Sequence, residues 1–336
     1  MSHSAYDSDP ERSGAPLVDY TGRLSASASL FANKEVGRYG FTVMQVFDLM
    51  RKTGIKIGGG LGANILVDQA GHRANPLPVG ADMDFFVYGC LPPKMPDTFD
   101  WSTWSPTNFK LRATNPVAAK YYEDVETALR HKAHVFSTFD ECVRRSGYRQ
   151  TVASDEDMAA YLEERTSDGD RLFTTTGKVK YVLYFFSRTT ASGDVQKLNL
   201  VMVDTPLATV QTKVDIGLTA GMLSCDAYGW KYTHPAPQDV IDLRVSWLQP
   251  ESTHTPRQML RLQKYGERYG VLPRFILKAK DFLSSYDTLP DKCDITLIVK
   301  PSEKTKALER RVKGMMPDAI IVYVNVPEID HVEGEA

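Results

Sequence analysis

A chain of 336 residues can form one large domain or two ordinary ones, and 42% apolar with 24% charged residues is a globular composition. The formal net charge of −2 supplies no global attraction to nucleic acid or an anionic membrane, so contact with a polyanion has to come from a local basic patch. Four cysteines, Cys90, Cys142, Cys225 and Cys293, are spaced too widely and irregularly for a zinc motif, and a chain this long needs no disulfide staples.

The N-terminus, MSHSAYDSDPERSGAP, lacks the apolar core of a signal peptide. No apolar run reaches the roughly 18–20 residues that span a bilayer. The expectation is an intracellular, cytoplasmic protein with no membrane partner, or one carried inside a virion.

In chain order, residues 1–24 read as a disordered N-terminal segment, rich in Ser, Asp, Pro and Gly at its start. SASASLF opens the folded part. YGFTVMQVFDLMRKTG has the apolar density of a buried helix, with Arg51 and Lys52 in its last turn and Gly54 as the residue that ends it. A short apolar run, IKI, then leads into a glycine turn and a helix over roughly Gly62–Asp68. The insertion DQAGHRANPLPVG loops out before the strand DMDFFVYG. LPPKMPDTFDWSTWSPTNF is irregular because its prolines forbid a regular element, and Trp101 and Trp104 read as anchors of that loop.

AAKYYEDVETALRHKAHVFSTFDECVRRSGY predicts a long helix ending at Gly147, on which His131 and His134 form a polar face. A second helix is expected over 151–172. KVKYVLYFFSR and VQKLNLVMVD, separated by TTASGD, predict a β-hairpin, and VDIGLTAGML a further strand from Val214. A basic helix over 256–269, a helical stretch near 273–286, and the β-prone runs DITLIVK and AIIVYVNV complete the chain. This order predicts an α+β fold: a mixed-sheet core with flanking helices over 25–245, and a C-terminal α/β extension over 246–336. Whether 287–336 is a separate small domain or completes the main sheet stays open.

The chemistry concentrates in IKIGGGLGANILVDQAGHRANPLPVGADMDFFVYG. Strand side chains alternate, so Asp82 and Asp84 share one face. Such a pair is costly unless something positive neutralises it, and its oxygen ligands suit Mg²⁺ or Mn²⁺ bridging a substrate's phosphates. Gly58, Gly59 and Gly60 let the backbone approach closely, and N–H groups opening the following helix can bind a phosphate. Asn64 of that helix is counted with them. A glycine turn alone is usually only a turn, and an Asp-x-Asp strand is usually a solvated face. Their order, strand, glycine turn, helix, loop, paired-acid strand, carries the functional reading. The acids open their apolar run, whereas phosphatases and nucleotide-sugar glycosyltransferases with an Asp-x-Asp place it at a strand's end.

This arrangement resembles the nucleotidyltransferase superfamily of the DNA polymerase β and poly(A) polymerase type, over residues 40–90. The segments VDIGLTAGML, YGWKYTHP and TPRQMLRLQKYGERYGV are similar to nucleotidyltransferase-like proteins of large DNA viruses and fungi. The resemblance implies a nucleotidyltransferase-type core in which Gly58, Gly59 and Gly60 hold the nucleotide's phosphates and Asp82 and Asp84 bind the metal. It also implies a third carboxylate on a neighbouring strand. The matching position in KLNLVMVD is Asn199, and Asp204 ends that strand on the opposite face. Either Asp215 supplies the third catalytic acid or there is none.

In TPRQMLRLQKYGERYG, Arg257, Arg261, Lys264 and Arg268 form a stripe along one helical face, with Met259, Leu262 and Tyr269 on another. Arg257, Arg261 and Lys264 are expected to grip a triphosphate or a polynucleotide backbone, against the alternative of a solvated charged face. Tyr265 is placed to stack on a base. The expected function is metal-dependent transfer of a nucleotide from an NTP to a hydroxyl, an RNA 3′ end among the acceptors. The alternative is a catalytically degenerate fold acting as an RNA-binding or assembly subunit. The oligomeric state stays open.

Overall fold

The computed structural model describes residues 20–93, 115–152, 179–235, 237–247, 256–278, 294–299, 310, 313–314 and 320–323. Eight strands form one mixed sheet: β1 (Tyr20–Arg23), β2 (Lys56–Gly58), β3 (Asp82–Tyr88), β4 (Arg149–Thr151), β5 (Tyr181–Thr189), β6 (Val195–Val203), β7 (Met222–Asp226) and β8 (Gly229–His234). Their order is β1-β8-β7-β2-β3-β6-β5-β4. Within this sheet β3 and β6 run parallel, whereas β2 is antiparallel to β3 and β5 antiparallel to β6. The expected α+β fold is what the chain adopts.

Alternation along β3 divides the sheet's two faces. Met83, Phe85 and Val87 are buried in the main core. There Phe139 meets Phe85 and Phe186 edge to face, at centroid distances of 5.0 and 5.2 Å. The other face carries Asp82, Asp84, Phe86 and Tyr88. Only Phe86 of these joins an apolar cluster, with Val201, Val203, Leu207, Val210 and Met222.

The helices of the main body are α1 (Ala26–Arg38), α2 (Val43–Thr53), α3 (Gly59–Gln69), α4 (Pro116–Arg145), α5 (Leu207–Thr212) and α6 (Gln238–Ile241). α2 starts on a capping box: the Thr42 hydroxyl accepts from the Gln45 N–H while the Gln45 side chain accepts from the Thr42 N–H. Gly54 ends it in the left-handed conformation, φ 70°. His131 and His134 on α4 bond the backbone oxygens of Gly89 and Lys52, at 3.2 Å each, so this polar face ties the helix to neighbouring loops.

A second sheet of four parallel strands follows: β9 (Val245–Trp247), β10 (Pro273–Lys278), β11 (Asp294–Val299) and β12 (Ile320–Tyr323), in the order β12-β11-β10-β9. Parallel neighbours require a crossover, and α7 (Pro256–Tyr269) supplies it between β9 and β10. DITLIV and IIVY therefore belong to this second sheet and not to the main one. Among the described residues, no helix is long and apolar enough to cross a membrane.

Three expectations are corrected. Residues 20–23 lie inside the segment read as disordered, yet they form β1, paired antiparallel to β8 from Tyr20↔His234 to Arg23↔Lys231. The run from Val214 is not one strand: it passes through a 3-10 turn at Gly217–Thr219 and enters β7 only at Met222. Val214 and Ile216 make only isolated β-bridges, and the apolar residues of the run are buried around that turn. The stretch near 273–286 begins as a strand, because RFILK pairs on both sides, with β9 and β11; Pro273, which has no N–H to give, occupies the tolerated first position. The helix expected over 151–172 and the Trp101 and Trp104 loop fall largely or wholly outside the described residues.

The aromatic junction beneath β3 gives a direct check on the core. Replacing Phe139 with Ala should lower the unfolding free energy by about 3–5 kcal/mol, read as a shift in the urea midpoint.

Candidate active site on the paired-acid strand

Strand register assembles the site. β2 sets Gly58 opposite Asp84, and parallel β6 sets Lys197 opposite Asp82 and Asn199 opposite Asp84. The chain then turns at Gly59, whose φ of +60° is the left-handed region that favours glycine, and α3 begins. A β-carbon at Gly59 would collide with Oδ2 of Asp84. The glycine turn and the second acid, 25 positions apart in sequence (84 − 59), are thus in van der Waals contact.

Asn199 bridges the two acids. Its Nδ2 donates to Asp82 Oδ2 at 3.1 Å and to Asp84 Oδ1 at 2.8 Å. Burial, followed by the adjacent Asp82 charge, raises the Asp84 carboxyl to about 7, while Asn199, Arg261 and Lys264 pull it back down. The two acids together also push up the phenol of Tyr39, behind the dominant effect of its own burial. Tyr39 Oη–H donates to the Ala81 carbonyl at 3.0 Å, holding the residue that precedes the acid pair.

Helix α7 of the second sheet closes over the glycine turn. A β-carbon on Gly60 would lie 3.3 Å from the Tyr265 hydroxyl and 3.4 Å from an Arg268 nitrogen. The Arg268 guanidinium stands 5.1 Å from the centre of the Tyr265 ring. Lys264 is exposed and close enough to act electrostatically on Asp84. The basic stripe is therefore turned toward this site, with Arg261 and Lys264 acting on Asp84 and Arg268 beside the glycine turn. The side chain of Arg257 lies outside the described residues.

Several expected roles change. Asp215 does not join Asp82 and Asp84: among the described residues, no group of three or more His, Cys, Asp or Glu converges as a metal site. Asp215 is instead completely buried, and its Oδ2 accepts from Arg261 Nη1 at 2.7 Å. Burial raises its carboxyl and the Arg261 charge opposes that rise. Arg261, 19% exposed, is thereby a tether of α7 before it is a ligand for phosphate. Asn64 is fully buried with its amide committed: Nδ2 donates to the Asn75 carbonyl at 2.9 Å and Oδ1 accepts from Tyr269 at 3.4 Å. It fastens the inserted loop and α7. Tyr265 is buried in the main core and cannot stack on a base.

The anchoring of the insertion was not legible beforehand. Leu77 N–H donates to Glu35 Oε2 at 3.2 Å and Arg38 donates to the Leu77 carbonyl at 2.8 Å, so α1 holds the loop that delivers the chain into β3. Glu35 and Arg38 lie about forty positions upstream, and no local pattern links them to this loop.

The donor set at Asp82, Asp84 and Asn199 consists of oxygens plus one amide, and the carboxylates are held side by side on a face whose burial resists their charge. That combination fits a hard divalent cation such as Mg²⁺ or Mn²⁺. No protein-family model matches the chain, and no curated protein matches it significantly.

Two outcomes follow from these electrostatics. Asp84 keeps its proton to about 7 when folded but ionises near 4 when unfolded, so the folded state holds the extra proton between these values and stability falls as pH rises through that window. Asp84→Asn should remove that slope, so its stability relative to wild type should increase from pH 5 to pH 8 in denaturant titrations without added metal. Arg261→Met should cost about 3–5 kcal/mol by stranding the buried Asp215 charge. Much of that loss should return when Asp215→Asn is added, measured by a double-mutant cycle.

Proposed function

We propose that the chain is a metal-dependent nucleotidyltransferase that moves a nucleotide from an NTP to a hydroxyl acceptor. The observation that carries this reading is the contact between the left-handed Gly59 and the Asp84 carboxylate. It brings a phosphate-sized turn at a helix N-terminus against a paired-acid strand. The likeness to nucleotidyltransferases of the DNA polymerase β type rests on this same sequence order.

In this reading Gly59 and Gly60 offer backbone N–H groups to the triphosphate, and Lys264 and Arg268 flank it from α7. Asp82 and Asp84 hold Mg²⁺ or Mn²⁺, with Asn199 beside them. The bound cation would supply charge compensation for the phosphates and the attacking oxygen. The acceptor's oxygen forms a bond to the α-phosphorus as the bond to pyrophosphate breaks, and the hydroxyl's proton is released to solvent. Asp215 and Arg261 act from below, by holding α7 at the turn. An RNA 3′ end suits the basic helix as acceptor.

A second reading has one specific observation in its favour. Asn199 stands where the resemblance implies a third carboxylate, and it cannot supply that charge or act as a base. The fold would then serve as an RNA-binding or assembly subunit.

The deciding experiment is incorporation of each labelled NTP into a mixed RNA primer pool with Mg²⁺ or Mn²⁺. Wild type is expected to extend primers, and the double variant Asp82→Asn, Asp84→Asn to lose at least about a hundredfold in rate. RNA binding without incorporation by wild type would favour the subunit reading.

A further inference from the structure

The far end of β3 opens onto a cavity that the acid pair does not use. Its volume is about 530 Å³, and its walls include Lys52 at the end of α2, Lys56 of β2, Tyr88 of β3, His131 of α4 and Leu207 of α5. That volume falls within the roughly 300–1,000 Å³ of small-molecule pockets. Tyr88 follows Asp84 by four positions (88 − 84) on the same side of the strand, which separates the two places by about 13 Å. Phe86 stands between them, packed into the cluster that contains Leu207. The cavity is a site of its own and no extension of the acid pair.

Its walls suit an anion that carries an apolar part. Among the described residues that line it, none is acidic. Lys52 is paired with Asp48 at 2.8 Å, but the two side chains are 57% and 55% exposed, and a surface pair of this kind holds its partner weakly. Lys56 adds a second ammonium from β2. Burial pushes the Cys90 thiol up to about 11, so this neighbour of His131 adds no negative charge. The C-terminal end of α2 does bring partial negative charge to one wall; Arg51 and Lys52 in its last turn offset it.

His131 Nδ1–H donates to the Gly89 carbonyl at 3.2 Å, which fixes the tautomer and makes Nε2 an acceptor suited to a hydroxyl. Tyr88, 46% exposed, offers an aromatic ring, and Leu207 adds apolar surface. Two ammonium groups, a hydroxyl acceptor and a ring together complement phosphate, sugar and base. We propose that this cavity is a second nucleotide-binding site, in which Lys52 and Lys56 take the phosphate, His131 Nε2 accepts from a sugar hydroxyl and Tyr88 stacks on the base. The ligand chemistry is the same for a free nucleotide and for one nucleotide of an RNA strand. The site needs no divalent cation, because its own side chains supply the positive charge.

The test is binding to the full chain in EDTA of two probes: radiolabelled ATP, by equilibrium dialysis, and a fluorescein-labelled single-stranded RNA dodecamer, by anisotropy. Wild type is compared with Lys56→Gln, Tyr88→Ala and Lys264→Gln, and with Lys34→Gln as an exposed control of equal charge change. Thermal melting confirms that each is folded, and Lys52→Gln, on an exposed side chain, replaces any cavity variant that is not. Lys56→Gln and Tyr88→Ala are each expected to weaken binding about fivefold or more, with Lys34→Gln and Lys264→Gln near wild type. Binding of ATP alone would name a free nucleotide as the ligand, and binding of RNA alone a strand; in either case the loss in the cavity variants supports the site. Undiminished affinity in those variants, an equal loss in Lys34→Gln, a loss confined to Lys264→Gln, or no binding of either probe by wild type would overturn the inference. Nucleotide transfer at the acid pair is read separately by incorporation, so neither proposal stands or falls with the other.

Discussion

Two carboxylates on one face of a strand, with their neighbours in register, impose the constraint around which this molecule is arranged. Charges so placed repel one another and resist burial, so each surrounding element either leaves room for them or offers them something positive. β2 ends in glycine opposite Asp84, and the left-handed Gly59 leaves the carboxylate oxygen space that any side chain would fill. β6 contributes an amide that donates to both acids. The apolar half of β3 faces the other way, into the Phe85, Phe139 and Phe186 junction, which fixes the register on which the polar half depends.

The second sheet acquires a purpose from the same constraint. Its crossover helix α7 must span from β9 to β10, and one flank of that helix rests on the glycine turn. Leu262 and Tyr265 are buried, so packing sets the helix's depth, while Lys264 and Arg268, one turn apart, share the neighbouring flank. The Asp215–Arg261 pair adds a charged tether whose partners are poorly accessible to water. A buried pair of this kind is a weak source of net stability but a strong determinant of geometry, since either partner alone would be stranded. Its value here is orientation: it sets which face of α7 meets the acids.

Much of this was legible because it was local. The Asp-x-Asp alternation gave a shared face, the glycine run gave a turn, and Gly54 and the Arg51–Lys52 pair gave the end of α2. The hairpin of β5 and β6 followed from two β-prone runs and a polar turn. What stayed hidden was long-range. Asn64 sits on the helix nearest the glycines, yet its burial and its bonds to Asn75 and Tyr269 depend on a loop and a helix remote in the chain. Asp215 looks like a spare acid until Arg261, 46 residues on, is seen to claim it. Tyr265 reads as a surface aromatic beside a charged stripe, but its spacing from Leu262 and Tyr269 places it on the helix's apolar flank, where it is buried. Pairing on both sides made a strand of RFILK, a feature no window of local sequence contains.

Asn199 joins the two kinds of information. Its identity was visible, as was its departure from the implied acid, but its meaning required the distances. An aspartate there would bring three negative charges together on a partly buried face, and the site would depend on a cation for its integrity. The amide reduces that to two and supplies a donor to each, so the fold can form before any cation arrives. In the proposed metal-dependent reading the same exchange lowers the electrostatic attraction for a cation, because a neutral amide replaces a charged carboxylate. Stability without metal and affinity for metal are opposed at a single side chain in that reading, with the balance tilted toward the former. Lys264 sharpens the opposition, since positive charge acting on Asp84 favours phosphate at the expense of a lone cation. Under the proposed metal-dependent reading, such a site should take a cation most readily together with a polyphosphate, whose negative charge restores what the amide removed.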